Sequence, residues 1–249
     1  MDYKYLLTNG CSFTWGGGLE FLFRDKNDQI DHDLRKSLCW PHHLCKLANI
    51  PNDINLSQGC GSNQRIFRTT SEWLLKQSPG TLSQTLAIIQ LTDHSRYEVF
   101  DTIANCWINY KVGCAITDKP VDPSYYAELM KYNDTRLSYH TDIEGIHSVI
   151  NYAFSISGLL NFYGVKHYFV NYEYVDPDSI DSSLYDLYNT SINWLHHNNA
   201  KRSNLGYDAG SSDPVKGIHY DRISKEDTHP DTTGHKQIAQ HFYDHLTKT

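Results

Sequence analysis

A chain of 249 residues, 39% hydrophobic and 13% aromatic, is long enough for one α/β domain that removes about 70–75% of its unfolded surface from water. Its 22 basic and 29 acidic residues give a net charge of −7 and form no basic stripe, which sets aside a nucleic-acid partner. No apolar run approaches the ~18 residues of a membrane-spanning helix, and the patch in MDYKYLLTNG is too short for a secretion signal, so a cytoplasmic protein with no membrane partner is expected.

Residues 4–8 (KYLLT) predict a short strand, closed by Asn9-Gly10. Residues 40–48 (WPHHLCKLA) predict a helix with Pro41 in its first turn, where a missing N–H is harmless. A second strand is expected at 54–56, broken by QGCGS, and a helix from 63 to about 76, where Ile66, Thr69, Thr70, Trp73 and Leu74 share one face. Residues 85–91 (TLAIIQL) form a continuous run that suits a strand buried on both faces. Residues 142–163 are apolar at helical spacing and stop at Gly164. A strand at 167–170 (HYFV) and a terminal helix at 231–247 complete the series. Such alternation predicts a single α/β domain over 1–249, with a parallel sheet covered on both faces. Residues 101–139, with Pro120-Val121-Asp122-Pro123 and many tyrosines, are expected to be an insertion or lid over the sheet edge. Residues 198–225, rich in Gly, Ser, Asn and Asp, are expected to be a long loop. Glycines 16 to 18 read as a flexible turn, since no Lys-Ser/Thr follows them as a phosphate loop requires.

In open α/β sheets, ligands sit beyond the carboxyl ends of the strands. Ser12, the segment Gly59-Cys60-Gly61-Ser62-Asn63 and Thr92 each follow a predicted strand. A serine hydroxyl needs a base within hydrogen-bond reach and donors for the developing oxyanion. His229, just before the last helix, can reach the same edge, and glycines at 59 and 61 let a backbone N–H approach without a side chain in the way.

With these residues in place, the chain resembles the SGNH (GDSL-type) esterases and lipases. Gly10-Cys11-Ser12-Phe13-Thr14 is similar to the family's Gly-Asp-Ser-x-Thr block, with Cys11 in place of Asp. Asn55 to Asn63 resembles the second block, Ile89 to Asp93 stands where Gly-x-Asn-Asp occurs, and Glu226-Asp227-Thr228-His229-Pro230 resembles Asp-x-x-His-Pro. The resemblance implies a three-layer α/β/α, flavodoxin-like parallel sheet and a metal-independent serine esterase that needs no cofactor. Ser12 would be the nucleophile and His229 the general base. The N–H groups of Ser12 and of Gly59 or Gly61 would hold the oxyanion. Family spacing puts the third member at Glu226, while Asp227 is the commoner residue type, and both stay open. The family's oxyanion asparagine corresponds to Thr92, with Asn63 as another possible donor. The implied substrate is an acyl ester, such as an acetyl ester, of a carbohydrate or other small polar molecule.

The same residues admit plainer readings. Ser12 could cap a helix, His229 could begin one, and His235 packs or caps. Arg96 either lies at the pocket rim and holds a polar or anionic group, or is a solvated strand end. The tyrosines of 101–139 either stack on sugar rings or form a packing layer. Six cysteines without a Cys-x-x-Cys pair read as reduced thiols, and the adjacent pairs His42-His43 and His196-His197 lack ligand spacing for a metal. Two alternatives to the esterase are an acyltransferase using the same residues and a non-catalytic binding module on the same fold.

Overall fold

The computed structural model describes residues 2–19, 31–102, 105–111, 123–139, 141–171, 180–196, 220–224, 227 and 229–248. Five parallel strands form the central sheet: β1 (Tyr5–Asn9), β2 (Asn52–Asn55), β3 (Thr85–Leu91), β6 (Lys166–Asn171) and β7 (Trp194–His196). Their spatial order is β2-β1-β3-β6-β7. Leu7 sits between Ile54 and Ala87 in register. A second sheet is the antiparallel hairpin of β4 (Arg96–Asp101) and β5 (Cys106–Lys111).

Helices are α1 (Ser12–Trp15), α2 (His32–Leu38), α3 (Trp40–Ala48), α4 (Asn63–Leu74), α5 (Pro79–Leu82), α6 (Pro123–Tyr139), α7 (Asp142–Phe162), α8 (Ser182–Ser191) and α9 (Thr232–Lys248). The side-chain period of two in a strand sends alternate residues to opposite layers. Leu6, Leu86, Ile88 and Val170 pack with Trp40 and Leu44 of α3 and Ile238 and Phe242 of α9. Leu7, Ala87, Ile89 and Phe169 pack with Ile66 of α4, Ile150 and Ile156 of α7 and Tyr188 of α8. β3 is buried at every position for this reason. The molecule is therefore the three-layer α/β/α sandwich expected, with the 2-1-3-4-5 order of a flavodoxin-like sheet once its strands are counted in sequence.

Local signals set the helix ends. Pro41 occupies the first turn of α3, and Asn49 closes it in the left-handed region at φ 54°. Thr141 caps α7 by accepting from Glu144 N–H at 3.1 Å. After α7, Gly164 turns left-handed at φ 68°, and Val165 N–H returns to Leu160 O at 2.9 Å.

Within the stretch expected to be an insertion, β5 and α6 are described. Ile108, Tyr110 and Leu129 form a small core of their own, with Tyr97, Val99 and Met130 packed against it. Arg68 of α4 ties the hairpin down through two hydrogen bonds to Glu98, at 2.6 and 2.8 Å. The expected loop at 198–225 lies outside the described residues except for 220–224. No described helix is long and apolar enough to cross a membrane.

Candidate active site

β1 lies where the strand order reverses, because β2 flanks it on one side and β3 on the other. That switch point opens a crevice at its carboxyl end. Asn9 fixes how the chain leaves the strand: its amide donates to Ile66 O (3.1 Å), Thr69 Oγ1 (2.8 Å) and Thr70 Oγ1 (3.0 Å), and its carbonyl accepts from Gly10 N–H (2.9 Å). A Cβ on Gly10 would lie 2.8 Å from Gln90 Cβ, so the strand exit has no room for a side chain. Thr14 Oγ1 donates to Gln90 Oε1. Buried Cys11 stays extended (φ −97°, ψ −158°), and the single-turn helix α1 starts at Ser12.

His229 Nε2 lies 2.8 Å from Ser12 Oγ, across 217 residues of sequence. On the other side of the ring, Nδ1 is 2.6 Å from Asp227 Oδ1, which also accepts from His229 N–H at 3.0 Å. Asp227 is thus the carboxylate against His229, and Glu226, the candidate from spacing, lies outside the described residues. Both ends of the His229 segment are pinned. Ile223 N–H donates to His229 O (3.0 Å), Asp227 N–H to Ser224 Oγ (3.0 Å), and Asp231 caps α9 by accepting from Thr233 and Gly234 N–H (2.8 Å each). His229 and Asp227 remain partly open to solvent, at 27% and 31% of side-chain surface.

Gly16 to Gly18 form the turn expected, with Gly17 and Gly18 close-packed against this site and Gly16 against Cys39. A Cβ on Gly17 would stand 2.8 Å from Ser12 Cβ and 3.1 Å from His229 Cδ2 and Nε2. Gly18 has φ +88°, and a Cβ there would meet Ile223 Cδ1 at 2.0 Å and Asp227 Oδ2 at 3.3 Å. Phe13, 3% exposed, stacks on the imidazole with ring centroids 4.6 Å apart and planes 22° from parallel. Sequence reasoning missed Phe13, Gly17 and Gly18 as site residues. Their only signal was adjacency to Ser12.

The second segment also arrives at this edge. Gln58 N–H donates to Gly10 O at 3.4 Å, and a Cβ on Gly61 would lie 3.0 Å from the same oxygen. Gly61 N–H is spent on Gln58 O at 3.1 Å, whereas Ser12 and Gly59 N–H have no hydrogen-bond partner among the described residues. Gly59 lies beside the Trp15 ring, and Cys60 next to it is left-handed at φ 59°. Asn63 clamps the backbone of Thr92: its amide donates to Thr92 O (2.8 Å) and its carbonyl accepts from Thr92 N–H (2.9 Å). The Thr92 hydroxyl is buried without a partner among the described residues. Arg96 opens β4 opposite Lys111, half-buried. His235 is fully buried and accepts from Trp40 N–H at 3.2 Å, a cap for α3; burial pushes it down to about 3. Among the described residues, no three His, Cys, Asp or Glu side chains converge as around a metal ion.

No family model and no curated protein matches the chain. Among solved structures, it is similar to a G-D-S-L-family protein from Desulfitobacterium hafniense DCB-2, with 12% identity over 98% of this chain and 99% of that one and a TM-score of 0.48. It is similar to TesA, with 12% identity over 98% of each chain and a TM-score of 0.49. The psychrotrophic esterase EstA from Pseudoalteromonas sp. shares 12% identity over 98% of this chain and 97% of its own, with a TM-score of 0.49. What the residues can do rests on their own geometry.

Proposed function

We propose that the protein is a serine esterase using Ser12, His229 and Asp227. The observation that carries this reading is the unbroken chain from Ser12 Oγ through His229 to Asp227, with contacts of 2.8 and 2.6 Å. With the ring proton on Nδ1 held by Asp227, Nε2 presents its lone pair to the serine hydroxyl. As Oγ bonds to the ester carbonyl carbon, the Oγ proton passes to Nε2 and the carbonyl π pair moves to oxygen. Ser12 and Gly59 N–H are the donors for that oxyanion. The C–O bond to the alcohol then breaks, and His229 gives its proton to the leaving oxygen. Water enters next, loses a proton to Nε2 and releases the acid by the same steps in reverse order.

An acetyl or similarly small acyl group on a carbohydrate or other polar alcohol is the substrate class we assign, on the strength of the family resemblance. Acyl transfer to an acceptor alcohol would use the same residues. Hydrolysis of p-nitrophenyl acetate tests the reading. The wild type should turn over and form a phosphonate adduct on Ser12, and Ser12→Ala should lose on the order of 10⁶-fold in kcat. A folded wild type with neither turnover nor adduct would overturn it and favour a binding module.

A further inference from the structure

We propose that Phe13 is a positioning residue that stabilises the imidazolium form of His229 while the acyl group is transferred. This rests on the serine-esterase reading and assigns a role to a residue which that chemistry does not itself require.

During attack, His229 changes from neutral ring to cation, so whatever faces the ring biases the step. An aromatic face within about 6 Å of a cation attracts it through the ring quadrupole, and the attraction grows when water is excluded. Phe13 presents such a face, with centroids 4.6 Å apart, planes 22° from parallel and a ring 3% exposed, so that this side of the partly open imidazole is shielded from water. On the side of the core, Phe13 lines a pocket together with Trp40, Val170, Ile238 and Phe242. The imidazole is confined from further directions, with Gly17 against its Cδ2–Nε2 edge and Asp227 on Nδ1. One segment, 12–18, therefore supplies the nucleophile, a face for the base and the edge that stops the ring from turning.

Other charged or titratable groups around His229 are Asp227 on its own loop, Asp221 and Arg222 on the adjoining segment, and Asp231 and His235 at the start of α9. Replacing Phe13 leaves all of them in place. Any change in His229 behaviour is then attributable to the ring.

The test uses Phe13→Leu, which keeps an apolar side chain and removes the π face, beside Phe13→Tyr, which keeps the face. Phe13→Met stands in for the leucine variant if that one fails to fold. In the non-aromatic variant, kcat for p-nitrophenyl acetate should fall about 3- to 10-fold with KM unchanged. The acid limb of kcat/KM should move to lower pH, because the cation is harder to form, and Phe13→Tyr should retain the wild-type limb. NMR titration of the His229 ring should show the same downward displacement of its midpoint, and this readout needs no turnover. An unmoved midpoint in the non-aromatic variant overturns the proposal, as does an equal displacement in Phe13→Tyr. Failure of the esterase reading shows separately, as a wild type that neither turns over nor takes phosphonate on Ser12.

Discussion

Asp227 reaches His229 twice, once through the imidazole Nδ1 and once through the backbone N–H. A carboxylate held by its own partner's main chain has one orientation, which fixes the ring tautomer. Asp227→Asn should lower kcat by about 10⁴-fold while leaving the fold intact, and Glu226→Gln should change kcat by less than about 2-fold. Steady-state kinetics on both variants checks this, and the reverse ranking would move the acid to Glu226. The pairing of Ser12 with His229 was an expectation from sequence, and the two side chains lie 2.8 Å apart. Which carboxylate faces the ring was not legible, since a difference of one position depends on local backbone that composition does not encode, and here it is Asp227 that lies against Nδ1. Asn63 was ambiguous for a related reason. A side-chain amide bonds whatever the fold brings to it, and here that is the backbone of Thr92.

At the level of elements, the strands most visible in sequence are those buried on both faces. β3 and α3 occupy the spans their patterns predict, and α4 and α7 end within a residue or two of theirs. β2 begins two residues early, at Asn52, because its pairing with β1 rather than its own hydrophobicity decides its length. The β4–β5 hairpin was not legible, since its apolar residues pack on α6 and α4 and not on the main core. β2 also carries an element-level weakness. Both Asp53 oxygens are buried without a hydrogen bond among the described residues, and the nearest His42 nitrogen is 3.8 Å away. Burial raises Asp53 above its ordinary value, against the opposing pull of Lys36 and His42. Because the folded state holds this proton when the unfolded state has released it, stability falls as pH rises through that window and stays lower above it. Asp53→Asn should therefore stabilise by about 1 kcal/mol at pH 7, with the gain shrinking as pH approaches 4 in urea titrations.

For the molecule as a whole, buried and half-buried histidines weaken the fold in acid. His235 is held at about 3 and His43 at about 4, both chiefly by burial, and His167 between Ser157 and Val165 is lowered too. Each stays neutral in the folded state while its unfolded counterpart takes a proton below about 6.5. Their contribution is thus complete above that value and declines as pH falls toward 4 and 3, by up to about 1.4 kcal/mol per pH unit for each histidine. Urea midpoints at pH 7, 6 and 5 should show the decline, and His235→Gln should remove one histidine's share of the slope. The layered architecture was legible at this scale because alternation of strand and helix leaves few topologies once crossovers are right-handed. The contact of the 16–18 turn with His229 was not, since sequence spacing does not say how closely the loops of Ser12 and His229, 217 residues apart, will pack.

The glycines at 16 to 18 bear on how this protein's function can be mapped. On the esterase reading, a scan that replaces each residue and scores only product cannot separate the reacting hydroxyl from the space that its partner needs, because a side chain at Gly17 crowds Ser12 and His229, and one at Gly18 runs into Ile223 beside Asp227. Intolerance to change would then outline a region several residues wider than the proposed chemistry. Covalent labelling draws the narrower boundary: a glycine variant keeps an oxygen for phosphonate to find, and Ser12→Ala has none.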